Sequence, residues 1–306
     1  TLLTKIEQNS LLIITGPKRS GKTALLKQLA QKCKYPNKLI QLEPLACTPE
    51  ILRTEFSRIA STTIPVISQH KTPIESVADA LRERTQDSLL FLDDIMELKA
   101  LSSFPKVEQP LERVLDALQQ SRGRTVATSR FAYSMKKHFP EITQVTIPPL
   151  STEELKAAGV RETELLLAVT GGLAGHISQL AEGNIELELV KKLTAGEVIE
   201  AECRATMSEL LYRARGYGAC KAILKILASE EALTLTEVSK RIERTPGSTR
   251  DYLKWLEEVD LIITRKKRFY YLDPILRLWV KIYFTGEPPA AEQIKLEVRS
   301  HVKNCQ

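Results

Sequence analysis

Near the start of the sequence, two glycines, a lysine and a threonine fall at a spacing that suits one kind of chemistry: Gly16-Pro17-Lys18-Arg19-Ser20-Gly21-Lys22-Thr23. The segment fits G-x-x-x-x-G-K-[ST], the phosphate-binding loop. Glycines let backbone N–H groups close around phosphate oxygens, and the helix after such a loop adds the positive end of its dipole. In this pattern Lys22 reaches the β- and γ-phosphates of a nucleoside triphosphate, and the Thr23 hydroxyl ligates Mg²⁺. The run from Gly16 to Thr23, with Ala24 after it, is the candidate nucleotide-binding segment. An ordinary glycine turn is the alternative, and the flanks argue against it. Leu11-Leu12-Ile13-Ile14 reads as a buried strand, and Ala24 to Ala30 as a helix with apolar positions at helical spacing.

Two further groups complete such a site. The apolar run Leu89-Leu90-Phe91-Leu92 ends in Asp93-Asp94, as a phosphate-loop protein presents carboxylates at the carboxyl edge of its sheet. Asp93 is the candidate Mg²⁺ ligand and Asp94 the candidate that orients the attacking water. One methylene shorter than glutamate, Asp94 suits weak or conditional hydrolysis. The same two residues could instead cap a following helix. Farther on, Thr125-Val126-Ala127-Thr128 leads into Ser129 and Arg130, a hydroxyl and a guanidinium placed to contact a γ-phosphate. Arginine's planar fork matches phosphate oxygens; a solvated surface arginine is the other reading. The catalytic candidates are thus Lys22, Asp93, Asp94 and Arg130, with Thr23 and Asp93 as metal ligands.

Holding these groups together requires alternating strands and helices, and the sequence supplies them to about residue 148. Strands are expected at Leu39–Leu42, Leu89–Leu92, Thr125–Thr128 and Val145–Ile147, and helices at Glu50–Ile59, Pro73–Arg84 and Leu111–Gln119. That is the α/β pattern of a parallel sheet with helices on both faces. From Ser151 the pattern becomes helical, beginning with a capped start at Ser151-Thr152-Glu153-Glu154. Gly171-Gly172 breaks one helix, and a second runs from about Ala195 to Arg213. Beyond Gly216 and Gly218 come helices at Ala219–Ala228, Leu235–Ile242 and Thr245–Val259. Strands Leu261–Thr264 and Phe269–Leu272 then flank the basic turn Arg265-Lys266-Lys267-Arg268, a winged-helix pattern. The expected division is 1–148 nucleotide domain, 149–215 helical lid, 216–287 winged helix and 288–306 tail, the tail being a partner-binding element or a frayed end.

Bulk properties narrow the class. At 306 residues, 43% hydrophobic and 27% charged, the chain can bury a sizeable core. No apolar run reaches the roughly 18–20 residues of a membrane span, so no membrane partner is expected. No signal peptide is read, and because the chain opens on Thr1 a stretch upstream is left open. The five cysteines are scattered and never spaced C-x-x-C, which points away from disulfide and zinc frameworks and toward a reducing cytoplasm. His70, His138, His176 and His301 lack ligand spacing. His176, just after the glycine turn, is read as a surface or core histidine before a nucleotide contact. The net charge of +6 permits nucleic acid without requiring it.

The residues resemble those of the archaeal-type STAND ATPases, signal-transduction relatives of AAA+ proteins. The loop is similar to their GPRRxGKT; Leu90-Phe91-Leu92-Asp93-Asp94 resembles their second nucleotide motif, in the two-aspartate form of the NB-ARC branch. Thr128-Ser129-Arg130 resembles that branch's T-[ST]-R sensor, Thr170 to Gly175 its TGG-x-P-G turn, and Asp273 to Trp279 the D-P-x-L-R-F-W segment closing the winged helix. The chain departs at Ala174, where proline is usual. It also lacks the aromatic-x-x-Arg-x-x-Glu segment upstream of the first strand, so the adenine pocket is built differently or the sequence is a fragment. The resemblance implies ATP and ADP with Mg²⁺, and slow hydrolysis that resets a conformational switch. It also implies a protein partner or self-association; whether a neighbouring protomer supplies an arginine finger is left open, with Arg122, Arg124, Arg213 and Arg215 as unranked candidates.

Two uses of the winged helix compete. As a DNA reader it would offer Ser248, Thr249, Arg250, Lys254 and the turn Arg265, Lys266, Lys267, Arg268 to duplex DNA, in the manner of an origin-recognition ATPase. Between Lys240 and Leu272 nine basic side chains face five acidic ones, yet Asp251, Glu257, Glu258 and Asp260 oppose phosphate binding. As part of a switch, it would use Phe269, Tyr270, Tyr271 and Trp279 as core and interface. The switch is the favoured reading. A third reading is a nucleotide-stabilised scaffold that barely hydrolyses.

Overall fold

A computed structural model describes residues 2–60, 71–86, 89–212, 214 and 216–305. The chain divides into two compact units, Thr1–Ile147 and Pro148–Gln306.

The first unit runs α1 (Leu2–Gln8), β1 (Leu11–Thr15), α2 (Lys22–Lys32), β2 (Asn37–Gln41), α3 (Pro49–Ala60) and α4 (Pro73–Arg82). It continues through β3 (Leu89–Asp93), a 3₁₀ helix (Ile95–Ser103), α5 (Pro110–Gln120), β4 (Arg124–Ser129), α6 (Ala132–His138) and β5 (Thr143–Thr146). The five strands are all parallel in the order β2-β3-β4-β1-β5. Alternate residues of each inner strand feed opposite faces. Leu11, Ile13, Leu90 and Leu92 pack with α3, α4 and α5, whereas Leu12, Ile14, Leu89 and Phe91 pack with α1 and α2. A strand buried on both faces has no polar side to show, which is why β1 and β3 are apolar up to their last residues, Thr15 and Asp93. Arg84, just past α4, is fully buried and donates to Thr125 Oγ1 and Arg124 O, both at 2.7 Å, fixing the start of β4. Burial pushes its pKa down to about 10.

In the second unit α7 (Thr152–Ala157), α8 (Thr163–Thr170), α9 (Ala174–Leu180), α10 (Ile185–Leu193) and α11 (Val198–Tyr212) precede a helix-and-hairpin module. Ser151 caps α7 reciprocally with Glu154, as the spacing predicts. The module comprises α12 (Tyr217–Ser229), β6 (Leu233–Thr234), α13 (Leu235–Arg241), α14 (Pro246–Glu258), β7 (Ile262–Arg265) and β8 (Arg268–Tyr271). β8 pairs antiparallel with both β6 and β7. Lys266 and Lys267 both have positive φ, the backbone of a two-residue hairpin turn. Two helices end the chain, α15 (Pro274–Tyr283) and α16 (Ala291–Cys305). The segment expected as a tail is a packed helix: Ile294, Val298 and Val302, four residues apart, are buried. Among the described residues no helix is long and apolar enough to cross a membrane.

The turn after α8 shows where glycine is obligatory. Gly172 has φ +73°, and a Cβ there would stand 2.6 Å from Pro149 Cβ and 3.0 Å from Leu150 O. Gly218, in the first turn of α12, has open space around it. Gly172→Ala should therefore destabilise the protein by ~1–3 kcal/mol, whereas Gly218→Ala should stabilise it by ~0.5–1 kcal/mol. Chemical denaturation midpoints of the two variants check the opposite signs.

Candidate nucleotide site

The loop between β1 and α2 is shaped by its backbone. Arg19 (φ 69°) and Gly21 (φ 92°) adopt left-handed conformations, and Gly21 serves as N-cap of α2. Lys22, the first residue of α2, is buried, and its ammonium donates to Gly16 O and Pro17 O, both at 2.7 Å. Next to it the Thr23 hydroxyl lies 2.9 and 3.1 Å from the two Asp93 carboxylate oxygens. Lys18 and Ala24 are exposed, Pro17 and Arg19 are half-buried, and Gly16 and Ser20 are buried.

Asp93 ends β3, where the parallel register sets Leu92 beside Ala127 of β4. One residue on, the Thr128 hydroxyl donates to Asp93 Oδ1 at 2.6 Å and accepts from the Asp94 backbone N–H at 2.8 Å. Thr23, Thr128 and Asp93 are all hard oxygen donors, and the contact between Thr23 and Asp93 is the donor set that Mg²⁺ prefers. The residues present therefore fit that ion.

Asp94 has left-handed backbone (φ 56°, ψ 69°) and opens the 3₁₀ helix. Aspartate tolerates that backbone better than glutamate, whose longer side chain has no local hydrogen bond to offer. Its Oδ2 lies 2.5 Å from Arg130 Nε, while Oδ1 is buried without a hydrogen-bond partner among the described residues. Burial raises the Asp94 pKa above the usual aspartate value, and the Arg130 charge opposes that shift in part. Arg130 is also paired with Glu97, a residue the motif reading did not single out. Ser129 is buried, its hydroxyl bonded to Arg130 O.

Of the remaining candidates, Arg124 begins β4, its guanidinium 5.4 Å from the centre of the Tyr35 ring, and Arg122 is exposed. Arg213, Arg215 and His70 lie outside the described residues. His176 is fully buried, with Nε2 2.9 Å from Asp273 Oδ2, and so is a core histidine. On α14, Arg250 and Lys254 are exposed and Ser248 is half-buried, but Thr249 is buried with its hydroxyl on Thr245 O at 2.9 Å. Thr249 is therefore withdrawn as a surface contact. It shares an inward stripe with Leu253 and Leu256. Arg265, Lys266, Lys267 and Arg268 are all exposed, and Arg268 also donates to Ala232 O at 2.6 Å and lies 3.7 Å from Glu237.

Five parallel strands in this order, with a phosphate loop after β1 and carboxylates at the end of β3, define an α/β fold like that of P-loop AAA+ ATPases. Residues 8–156 match the protein-family model described as AAA domain. The whole structure is similar to that of the Walker-type ATPase PABY2304 of Pyrococcus abyssi, with a TM-score of 0.65 at 16% identity, over 92% of this chain and 93% of that one. It is also similar to the Aeropyrum pernix ORC2 protein in its ADPNP and ADP complexes, with a TM-score of 0.52 at 14% identity, over 97% and 88% of the two chains. At such identities the likeness speaks for the fold. No curated protein sequence matches the chain. Residues 8–156 thus match an AAA domain, within a fold like that of P-loop AAA+ ATPases.

Thr128 is the hinge of this geometry. Thr128→Val keeps the side-chain shape but strands the Asp94 N–H and removes the shorter of the two hydroxyl contacts to Asp93 Oδ1, which should cost ~1–3 kcal/mol of stability. Urea unfolding checks this, with a lowered midpoint and an unchanged slope.

Proposed function

We propose that this protein binds ATP and hydrolyses it slowly, as a molecular switch of the STAND type. One observation carries the reading: Lys22, Thr23, Asp93, Asp94 and Arg130 gather at the carboxyl ends of three adjacent strands, β1, β3 and β4. In it, the loop amides and Lys22 hold the phosphates, Thr23 and Asp93 hold Mg²⁺, Asp94 orients water, and Arg130 senses the γ-phosphate. Mg²⁺ would supply charge neutralisation of the phosphates. Catalysis of this kind is mostly positioning and charge stabilisation, so an Asp94 already engaged by Arg130 agrees with slow turnover.

The second unit would respond to the nucleotide in two pieces, a lid (149–215) and a winged helix (216–287), with 288–306 packed on them. Support for their moving together comes from the turn after α8. A Cβ on Gly171 would stand 2.8 Å from Pro274 Cδ, and His176 is held by Asp273. ATP and ADP would favour different positions of this body, and a protein partner or a second copy would read the difference.

The runner-up is a DNA-binding ATPase of the origin-recognition type. Its specific support is Arg250 and Lys254, exposed one turn apart on α14, together with the exposed turn Arg265 to Lys267. Against it, Asp251 is exposed on the same helix.

ATP turnover of the wild type against Lys22→Ala, with and without duplex DNA, tests both. The switch predicts slow turnover indifferent to DNA. Losing the lysine's charged hydrogen bonds should weaken nucleotide binding by roughly 10- to 100-fold. Turnover raised by DNA, with labelled duplex bound in fluorescence anisotropy at low salt, supports the runner-up; no turnover under any condition supports a scaffold. Asp94→Asn should slow turnover and spare binding, and equal loss of both overturns the role given to Asp94. Because the Asp94 pKa is raised, its ionised form is lost at a higher pH than for an ordinary aspartate. The acid limb of turnover should shift upward accordingly and vanish in Asp94→Asn, as a pH–rate profile would show.

A further inference from the structure

Arg130 is committed to two carboxylates at once. Its Nε meets Asp94 and its terminal nitrogen meets Glu97, and only 17% of the arginine side chain and 13% of the Glu97 side chain remain exposed. The backbone explains why both acids reach it. Asp94 and Glu97 are three residues apart, and the Glu97 N–H bonds Asp94 O at 3.1 Å to form the first turn of a 3₁₀ helix. At three residues per turn, side chains i and i+3 stand one above the other. The fork of a single guanidinium then spans both.

From this arrangement we infer that Glu97 is a positioning residue: it latches Arg130, and the γ-phosphate must displace it before the arginine can engage the nucleotide. The inference rests on the proposed ATP site and adds what sets its preference for ATP over ADP. Arg130 already has charged acceptors in a half-desolvated setting, so a phosphate gains only the difference between itself and the carboxylate it replaces. ADP has no third phosphate and leaves the latch shut. Asp94 has its own pairing with Arg130, so loosening Glu97 alone keeps the arginine held by Asp94 while removing a competitor of the phosphate.

Glu97→Gln removes the charge and keeps the length. Equilibrium binding of fluorescent ADP and of a non-hydrolysable ATP analogue, in the presence of Mg²⁺, should show affinity for the analogue rising about 5- to 10-fold, from the loss of one charged hydrogen bond, with ADP affinity unchanged. In the Arg130→Ala background the same substitution should change neither. A structural role for Glu97 would instead weaken both ligands together. In the wild type, the Arg130 Nε–H resonance, assigned by its loss in Arg130→Ala, should hold its position on ADP binding and move with the analogue. That second measurement decides the matter even if Glu97→Gln fails to fold.

Binding that depends on Lys22, combined with an unchanged analogue-to-ADP ratio in Glu97→Gln or an Arg130 signal indifferent to both ligands, overturns the latch and leaves the ATP site standing. Absence of Lys22-dependent binding in the wild type overturns both.

Discussion

Asp93 accepts hydrogen bonds from two threonine hydroxyls that belong to different elements, Thr23 at the start of α2 and Thr128 at the end of β4. The sheet order makes this demanding. β4 lies between β1 and β3, so the chain leaving β1 must cross two strand spacings, about 9–10 Å, before Thr23 can touch the end of β3. The loop does so by turning left-handed at Arg19 and Gly21. Lys22 folding onto the carbonyls of Gly16 and Pro17 then closes it. The carboxylate thus ties together the loop after β1, the candidate metal ligands and the end of β4, the strand that leads into Arg130. None of these could shift without breaking a hydrogen bond to a partly buried charge.

The neighbouring aspartate is under a different constraint. Burial disfavours its ionised form and Arg130 favours it, and burial prevails, since the pKa is raised despite a 2.5 Å ion pair. A guanidinium divided between Asp94 and Glu97 cannot fully compensate either. Asp94 thus sits between burial and a shared arginine, whereas Asp93 is held by two neutral hydroxyls. The two adjacent acids are alike in sequence and differ in the groups that hold them. Left-handed backbone at Asp94 turns its side chain away from the direction β3 gives Asp93, which is how consecutive residues come to have such different surroundings.

How much of this was legible beforehand depends on period and burial. β1 and β3 are read from sequence because burial on both faces makes them continuously apolar. β5, with only half-buried and exposed residues in Thr143–Thr146, gives a weaker signal, and the expected strand at Val145–Ile147 overlaps it in part. The short helices α1, α6, α9 and α10 were not separated out, because seven to nine residues carry too few apolar repeats to stand out from loops. α16 was read as a tail since exposed Leu296, beside the inward Ile294 and Val298, confuses its stripe. In the site, the loop, Asp93 and Arg130 follow from motif spacing. Glu97 does not, because its relation to Asp94 depends on a 3₁₀ turn that the helical period does not announce. Thr249 shows the converse error. Its type suits a DNA contact, but its phase with Leu253 and Leu256 turns it inward.

The second unit is organised around a carboxylate as well. Asp273 accepts the backbone N–H groups of Ile275 and Leu276 at the start of α15, at 2.9 and 3.0 Å, and faces His176 Nε2 from α9. It therefore caps one helix and anchors another. The glycine turn lies against the same spot, with no room for a Cβ on Gly171 beside Pro274. A buried acid with several donors is stable where it stands, because each donor it would leave behind costs free energy when unpaired. Helices α8 and α9 and the start of α15 are joined at a point that resists rearrangement, while in the proposed nucleotide site Arg130 is shared between two acids. Under the proposed switch, the contacts open to exchange are those of Arg130 with Asp94 and Glu97.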